Sequence, residues 1–119
     1  MNKTIYIVED NDDIRELVGY LLEIEGYKVS SFPNATSFKE EIKNSIPDAV
    51  VLDIMLPDGN GIDICNKLKS TLATENIPVL LMSANTNIAL ITSESKADDF
   101  ISKPFDIDDL VSRVKKLLN

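Results

Sequence analysis

Among its 119 residues the chain has no histidine and no tryptophan, and only one cysteine, Cys65. Without histidine there can be no Ser-His nucleophile, no His-ligated zinc and no imidazole to carry a phosphoryl group. With one cysteine no internal disulfide can form, and nothing argues for an oxidising compartment. Any metal site must therefore be built from oxygen, a donor set that suits Mg²⁺, Ca²⁺ or Mn²⁺. Positive charge is also scarce: 12 Lys and Arg stand against 20 Asp and Glu, giving a net charge of −8 and a pI near 4.4. Nucleic acid and anionic membrane are repelled at long range, so no direct DNA or membrane partner is expected. Apolar runs such as residues 49–52 fall far short of a membrane span, and Met1-Asn2-Lys3 leads into no signal-peptide core, so a cytoplasmic protein is expected.

What is present is the patterning of an α/β domain. Apolar residues make up 44% and charged residues 27% of the chain, too apolar for a disordered acidic segment. The length suits a single domain over residues 1–119, and no repeat or Gly/Ser/Pro-rich linker interrupts it. Ile5-Tyr6-Ile7-Val8 is a β-branched run. Asn11 and Asp12 then cap a helix with Ile14, Leu17, Val18, Leu21 and Leu22 on one face, and Gly26 stops it,. Residues 29–32 form a second strand, and Asn34 caps a short helix through Phe38 and Ile42 that ends before Pro47,. Ala49-Val50-Val51-Leu52 reads as a central strand covered on both faces,. Beyond the turn-rich residues 57–61, a helix carries Ile62, Cys65, Leu68 and Leu72, and residues 78–82 form another apolar strand. The next helix has Ile88 and Ile91 as its stripe but is weakened by Thr92, Ser93 and Ser95,. Phe100-Ile101 makes a fifth strand, and Asp106 caps a last helix with Leu110, Val114 and Leu118. Strands and helices in such alternation argue for an open parallel sheet with helices on both faces.

Ligands of open α/β sheets bind outside the carboxyl ends of the strands, so the polar residues that follow the strands carry the functional signal. Glu9 and Asp10 follow the first strand, Asp53 the third, Ser83 the fourth and Lys103 the fifth. Singly, each has an ordinary structural reading as an acid beside a helix N-terminus, a turn cap or a solvated lysine. Together they bring three carboxylates, a hydroxyl and an ammonium to one rim. Carboxylates about 4 Å apart repel by roughly 4 kcal/mol at an effective dielectric of about 20, so such a cluster needs a cation or takes up a proton.

Three segments hold these residues: Ile7-Val8-Glu9-Asp10-Asn11, Leu52-Asp53-Ile54-Met55-Leu56-Pro57-Asp58-Gly59, and Ala97-Asp98-Asp99-Phe100-Ile101-Ser102-Lys103-Pro104-Phe105. With Ser83-Ala84 between them, the sequence resembles the receiver domains of bacterial response regulators from end to end. The resemblance implies the flavodoxin-like receiver fold, a doubly wound five-stranded parallel sheet in the order 2-1-3-4-5. It implies a phosphoacceptor of a two-component system, with Asp53 taking a phosphoryl group from a histidine kinase or a histidine phosphotransfer protein. Mg²⁺ is then held by Asp10, Asp53 and the backbone carbonyl of Met55, with Glu9 binding directly or through water. Ser83 and Lys103 bind phosphoryl oxygens. Such a domain catalyses its own aspartyl phosphorylation and dephosphorylation, as a signalling switch rather than a conventional enzyme. Ser83 and Phe100 are the implied switch residues, acting on a surface of the fourth helix, fifth strand and fifth helix that a downstream output domain or protein reads and that allows a homodimer.

The sequence departs from the family pattern in three places. Lys96 stands where a glycine is usual, and is expected to adopt a left-handed conformation at a cost of order 1 kcal/mol. The segment from Ser83 to Ala97 is about two residues short, which bears on the fourth helix. Phe100 replaces the commoner tyrosine. Met55 and Asn85 flank the implied phosphoryl site and are expected to control water access to it. Among rival readings, an FMN protein of the same fold would carry a Ser/Thr/Gly-rich phosphate loop where this chain has Glu9-Asp10-Asn11-Asp12. An Asp-nucleophile phosphatase would need a cap for which there is no spare length. An unphosphorylated receiver-like interaction module is the nearest alternative, disfavoured because all five rim residues are present.

Overall fold

The computed structural model describes residues 2–84 and 88–119, with the side chains of Ile88 and Leu90 left aside. Five strands, β1 (Thr4–Val8), β2 (Lys28–Phe32), β3 (Ala49–Asp53), β4 (Val79–Ser83) and β5 (Asp99–Ser102), form one parallel sheet in the order β2-β1-β3-β4-β5. The helices are α1 (Asp12–Ile24), α2 (Ala35–Asn44), α3 (Gly61–Lys69), α4 (Ile88–Glu94) and α5 (Ile107–Leu118). A short antiparallel ribbon, Met55–Leu56 against Gly59–Asn60, follows β3.

The period of two along each strand splits the core in two. Tyr6, Val8, Val50, Leu52, Val79 and Leu81 face one side, where Phe38 of α2, Ile64, Cys65 and Leu68 of α3 and Ile91 of α4 pack. Ile5, Ile7, Val51, Leu80, Met82 and Ile101 face the other, covered by Val18 and Leu22 of α1 and Leu110, Val114 and Leu118 of α5. Strand β3, expected to be central and covered on both faces, is buried at all five positions. The edge strand β2 buries only Phe32 fully; its ring meets Tyr6 and Phe38 edge-on at centroid distances of 5.1 and 6.0 Å.

The caps fall where the sequence places them. Asn11 Oδ1 accepts from Ile14 N at 3.0 Å, Asn34 Oδ1 from Ser37 N at 2.8 Å and Asp106 Oδ1 from Asp108 N at 2.8 Å. Gly26, just beyond the end of α1, has φ +96°, the left-handed value that spares glycine a Cβ clash,.

Three expectations change. Helix α3 ends at Lys69, so Leu72 lies beyond it and is 85% exposed. The hydroxyls of Thr71 and Thr74 take the carbonyls of Lys67 and Leu68, both at 2.7 Å, in place of further helical amides,. Leu17, assigned to the core face of α1, is 42% exposed, because Val18 and Leu22 hold the face nearest the sheet. Helix α4 spans only seven residues, in keeping with its weak helix formers. Finally, Lys96 is not left-handed: among the described residues none but glycine has a positive φ. Asn66 of α3 does the work a glycine cap would do, accepting from Lys96 N and donating to Glu94 O, both at 2.9 Å. Asn85, expected to control water access, lies outside the described residues.

Candidate functional site

Register across the sheet assembles the rim. Val8 pairs with Leu52, Asp53 with Met82 and Ser83 with Ser102, so the residues that end β1, β3, β4 and β5 reach one edge together. Lys103 N donates to Ser83 O at 2.7 Å, extending the β4–β5 pairing to the lysine itself. The Lys103–Pro104 peptide bond is cis.

All five rim residues expected from the sequence converge here. Glu9 is fully buried, Asp53 and Ser83 are each 4% exposed, and Asp10 is exposed. One carboxylate oxygen from each of Glu9, Asp10 and Asp53 lies within 4.8 Å of the other two. Lys103 Nζ donates to Glu9 Oε1 at 2.5 Å and to Asp53 Oδ2 at 3.2 Å. Burial works against the lysine's charge, but the bond to Glu9 and the field of Asp53 outweigh it and raise its pKa above the ordinary lysine value,. Counted formally, Glu9, Asp53 and Lys103 sum to a charge of −1, to which exposed Asp10 adds a further carboxylate.

The cleft outside this cluster is lined by Asp10, Asp53, Met55, Leu56, Ala84 and Lys103, among others. The Met55 side chain stands at its mouth, 76% exposed, and its amide reaches Asp53 Oδ1 at 3.4 Å. Phe100 is half-buried and packs against the core cluster on the α2–α3 side. Its carbonyl accepts from Arg113 Nη1 at 3.0 Å.

Three supporting groups escaped the sequence reading. Arg15 of α1 donates to the Glu9 carbonyl at 2.9 Å and to Asp12 Oδ1 at 2.6 Å, tying down the acidic loop. Gly61 lies beneath Asp53: a Cβ there would sit 2.3 Å from the Asp53 carbonyl oxygen and 2.7 Å from Ile54 Cα. Asp58 caps α2 from the loop after β3, accepting from Ala35 N at 2.7 Å, Thr36 N at 2.9 Å and the Thr36 hydroxyl at 2.6 Å. Its carboxyl is lowered to about 2, by the Thr36 hydroxyl first and then by the two amides. Only the turn-rich composition of residues 57–61 hinted at the last two.

The donor set fits a hard divalent cation. It is all oxygen, it contains more negative charge than Lys103 balances, and Asp10 and the cleft open it to solvent,. No helix among the described residues is long and apolar enough to cross a membrane.

Comparison with known proteins places this architecture. The sequence pattern of the response regulator receiver domain matches residues 5–115. The response regulator MprA of Mycobacterium sp. (strain KMS) is 33% identical over 116 residues, which cover 96% of this chain and 50% of that protein. The chain thus spans about half the length of the curated relatives it matches. A putative response regulator from Chloroflexus aurantiacus superposes with a TM-score of 0.92 at 28% identity, covering 99% of this chain and 98% of that one. The BeF3-activated receiver domain of DrrB, from Thermotoga maritima, gives a TM-score of 0.86 at 32% identity, covering 99% and 98%. A family match over nearly the whole length, joined to a fold that superposes on those of response regulators, means that this chain belongs to the response regulator receiver domain family.

Proposed function

We propose that Asp53 takes a phosphoryl group from a phosphohistidine on a histidine kinase or histidine phosphotransfer protein, with Mg²⁺ held at the rim. The observation that carries this reading is the placing of Lys103 Nζ 3.2 Å from the buried Asp53 carboxylate, beside two further acids. A carboxylate held in this way is a positioned nucleophile. Its oxygen attacks phosphorus, the P–N bond breaks, and the imidazole leaves. Asp10, Asp53 and the Met55 carbonyl are the proposed Mg²⁺ ligands, with Glu9 contributing directly or through water. When bound, Mg²⁺ offsets the charge that phosphoryl oxygens add to the acidic cluster. Lys103 and Ser83 bind the phosphoryl oxygens, Lys103 exchanging part of its contact with the carboxylates for the new anion.

The acyl phosphate then biases a two-state surface. Ser83 moves toward the phosphoryl group, and the half-buried Phe100 turns further inward. The faces of α4, β5 and α5 change with it, and a downstream output domain or protein, or a second receiver, reads the change. The proposed setting is the cytoplasm, where a kinase can reach the rim.

Intact-protein mass spectrometry tests this. Incubation with acetyl phosphate and Mg²⁺ is expected to add one phosphoryl group, absent with chelator and absent in Asp53→Asn. Beryllofluoride, which mimics the acyl phosphate, is expected to shift resonances of Ser83, Phe100 and α5. If neither acetyl phosphate nor a phosphohistidine protein modifies Asp53 and beryllofluoride shifts nothing, an unphosphorylated interaction module replaces this reading.

A further inference from the structure

The loop that follows β3 is a ribbon of two pairs, Met55 with Asn60 and Leu56 with Gly59, closed by Pro57 and Asp58. Its root is fixed: Ile54 is buried, Leu56 packs against the core cluster on the α2–α3 side, and Gly61 N donates to Ile54 O at 2.7 Å. Its tip lacks a self-sufficient turn. Two-residue hairpin turns that match strand twist need a positive φ, and among the described residues only Gly26 has one. So short a ribbon does not hold its own shape in water.

A different element holds the tip. Asp58 Oδ1 accepts from Ala35 N at 2.7 Å, and Oδ2 accepts from Thr36 N at 2.9 Å and from the Thr36 hydroxyl at 2.6 Å. Gly59 lets the ribbon come this close to α2, since a Cβ on it would stand 3.3 Å from the Ala35 methyl. The start of α2 is joined in turn to the other wall of the rim. Glu9 N donates to Phe32 O at 3.0 Å, and only Pro33 and Asn34 separate Phe32 from Ala35. A closed path therefore runs from Glu9 through Phe32 and the first turn of α2 to Asp58, then along the ribbon to Met55 and Asp53. Helix α2 has a cap of its own besides Asp58, because Asn34 Oδ1 accepts from Ser37 N at 2.8 Å.

We propose that Asp58 is a positioning residue for the rim: by tying the ribbon to α2 it fixes the Met55 backbone beside the cleft that Met55 lines with Asp10 and Asp53, and so sets the affinity for the divalent cation. This rests on the Mg²⁺ site proposed above, in which the Met55 carbonyl is a ligand. Asp58 touches neither the cation nor the phosphoryl group. It removes the freedom of the loop that carries the one neutral donor, so that donor is in place before the cation arrives. Without Asp58 the loop is ordered only on binding, and the affinity falls by that cost. The Asp53 carboxylate is held separately, by β3 and Lys103, so its reactivity in the cation-loaded protein does not depend on Asp58.

An NMR titration of the 119-residue chain with Mg²⁺ tests this, with phosphoryl uptake from acetyl phosphate as a second readout. Asp58→Ala is expected to raise the Mg²⁺ dissociation constant on the order of tenfold, and Asp58→Asn, which keeps one acceptor, to raise it less. Uptake by Asp58→Ala is expected to be slowed at low Mg²⁺ and to return close to the wild-type rate at saturation. Metal-free, the Met55 and Leu56 amide resonances are expected to shift in Asp58→Ala. Asn34→Ala is the control: it takes a cap from the same helical turn without touching the ribbon, and is expected to lower the urea midpoint while leaving the dissociation constant unchanged. If Asp58→Ala fails to fold, Thr36→Val, which removes only the hydroxyl, carries the test with a smaller rise of the same sign. A dissociation constant equal to wild type in the Asp58 and Thr36 variants overturns the proposal and leaves the Mg²⁺ site standing. An equal rise in Asn34→Ala also overturns it, by making the effect a loss of α2 stability. A wild-type chain with no saturable Mg²⁺ binding overturns both the site and the role of Asp58.

Discussion

Lys103 reaches from the end of β5 to two carboxylates that the sheet buries, Glu9 at 2.5 Å and Asp53 at 3.2 Å. Removing one partner of a buried ion pair strands the others without water or counter-charge, typically at about 3 kcal/mol or more. Lys103→Met is expected to lower stability by about 3 kcal/mol in divalent-free buffer, and Mg²⁺ to restore part of it; urea midpoints with and without the ion measure both effects. Asp58 offers a cleaner titration because it stands away from the rim. Its carboxyl falls from 3.8 to about 2 on folding, through the Thr36 hydroxyl and then the Ala35 and Thr36 amides. A lowered folded value contributes stability that is fully present above the unfolded pKa and is lost as pH falls through the folded one. The urea midpoint of Asp58→Ala is therefore expected to lie below wild type at neutral pH and to converge on it between pH values of about 4 and about 2. A gap that stays constant across that window would show that the carboxylate's hydrogen bonds are not its cause.

Helix α4 shows how a neighbouring element can replace a backbone device. Its seven residues include Thr92 and Ser93, which have poor helix propensity, and it is too short to persist alone. Its C-terminal end is held from α3, where the Asn66 carboxamide bonds both Glu94 O and Lys96 N. Nearby, Lys69 joins Asp98 at 2.6 Å and Ile77 O at 2.7 Å, so α3 grips the whole connection into β5. Asn66→Ala is expected to lower stability by about 1 kcal/mol through the loss of these bonds. Lys96→Gly, which a left-handed residue would make stabilising, is expected instead to lower stability by about 0.5 to 1 kcal/mol, because glycine only adds freedom to the unfolded chain. Denaturant midpoints of the two variants decide this, and a gain for Lys96→Gly would restore the left-handed reading.

At the scale of the whole molecule, the acidic rim couples ligand to fold. A cation that binds only the assembled cluster stabilises it by mass action, so each tenfold rise in Mg²⁺ above its dissociation constant is expected to add about 1.4 kcal/mol. Melting temperature measured against Mg²⁺ concentration checks this, and a flat response across millimolar ion would remove Mg²⁺ from the site. The five strands of the main sheet, the caps at Asn11, Asn34 and Asp106, and the five residues at the strand ends were legible in the sequence, whereas the short ribbon after β3 was not. Period and capping are local signals, and the ends of parallel strands necessarily share one edge of the sheet. Local signals failed where a distant group intervenes. Asn66 bonds to the Lys96 amide 30 positions along the chain, and Asp58 caps a helix 23 residues before it. Gly61 is needed because the chain folds back against the Asp53 carbonyl. By itself the sequence determined which residues could form each element and which polar groups would stand at its end. Only the tertiary structure decided that Lys103 rests on Glu9, 94 residues away, because that contact depends on strand register and burial, which no single segment encodes.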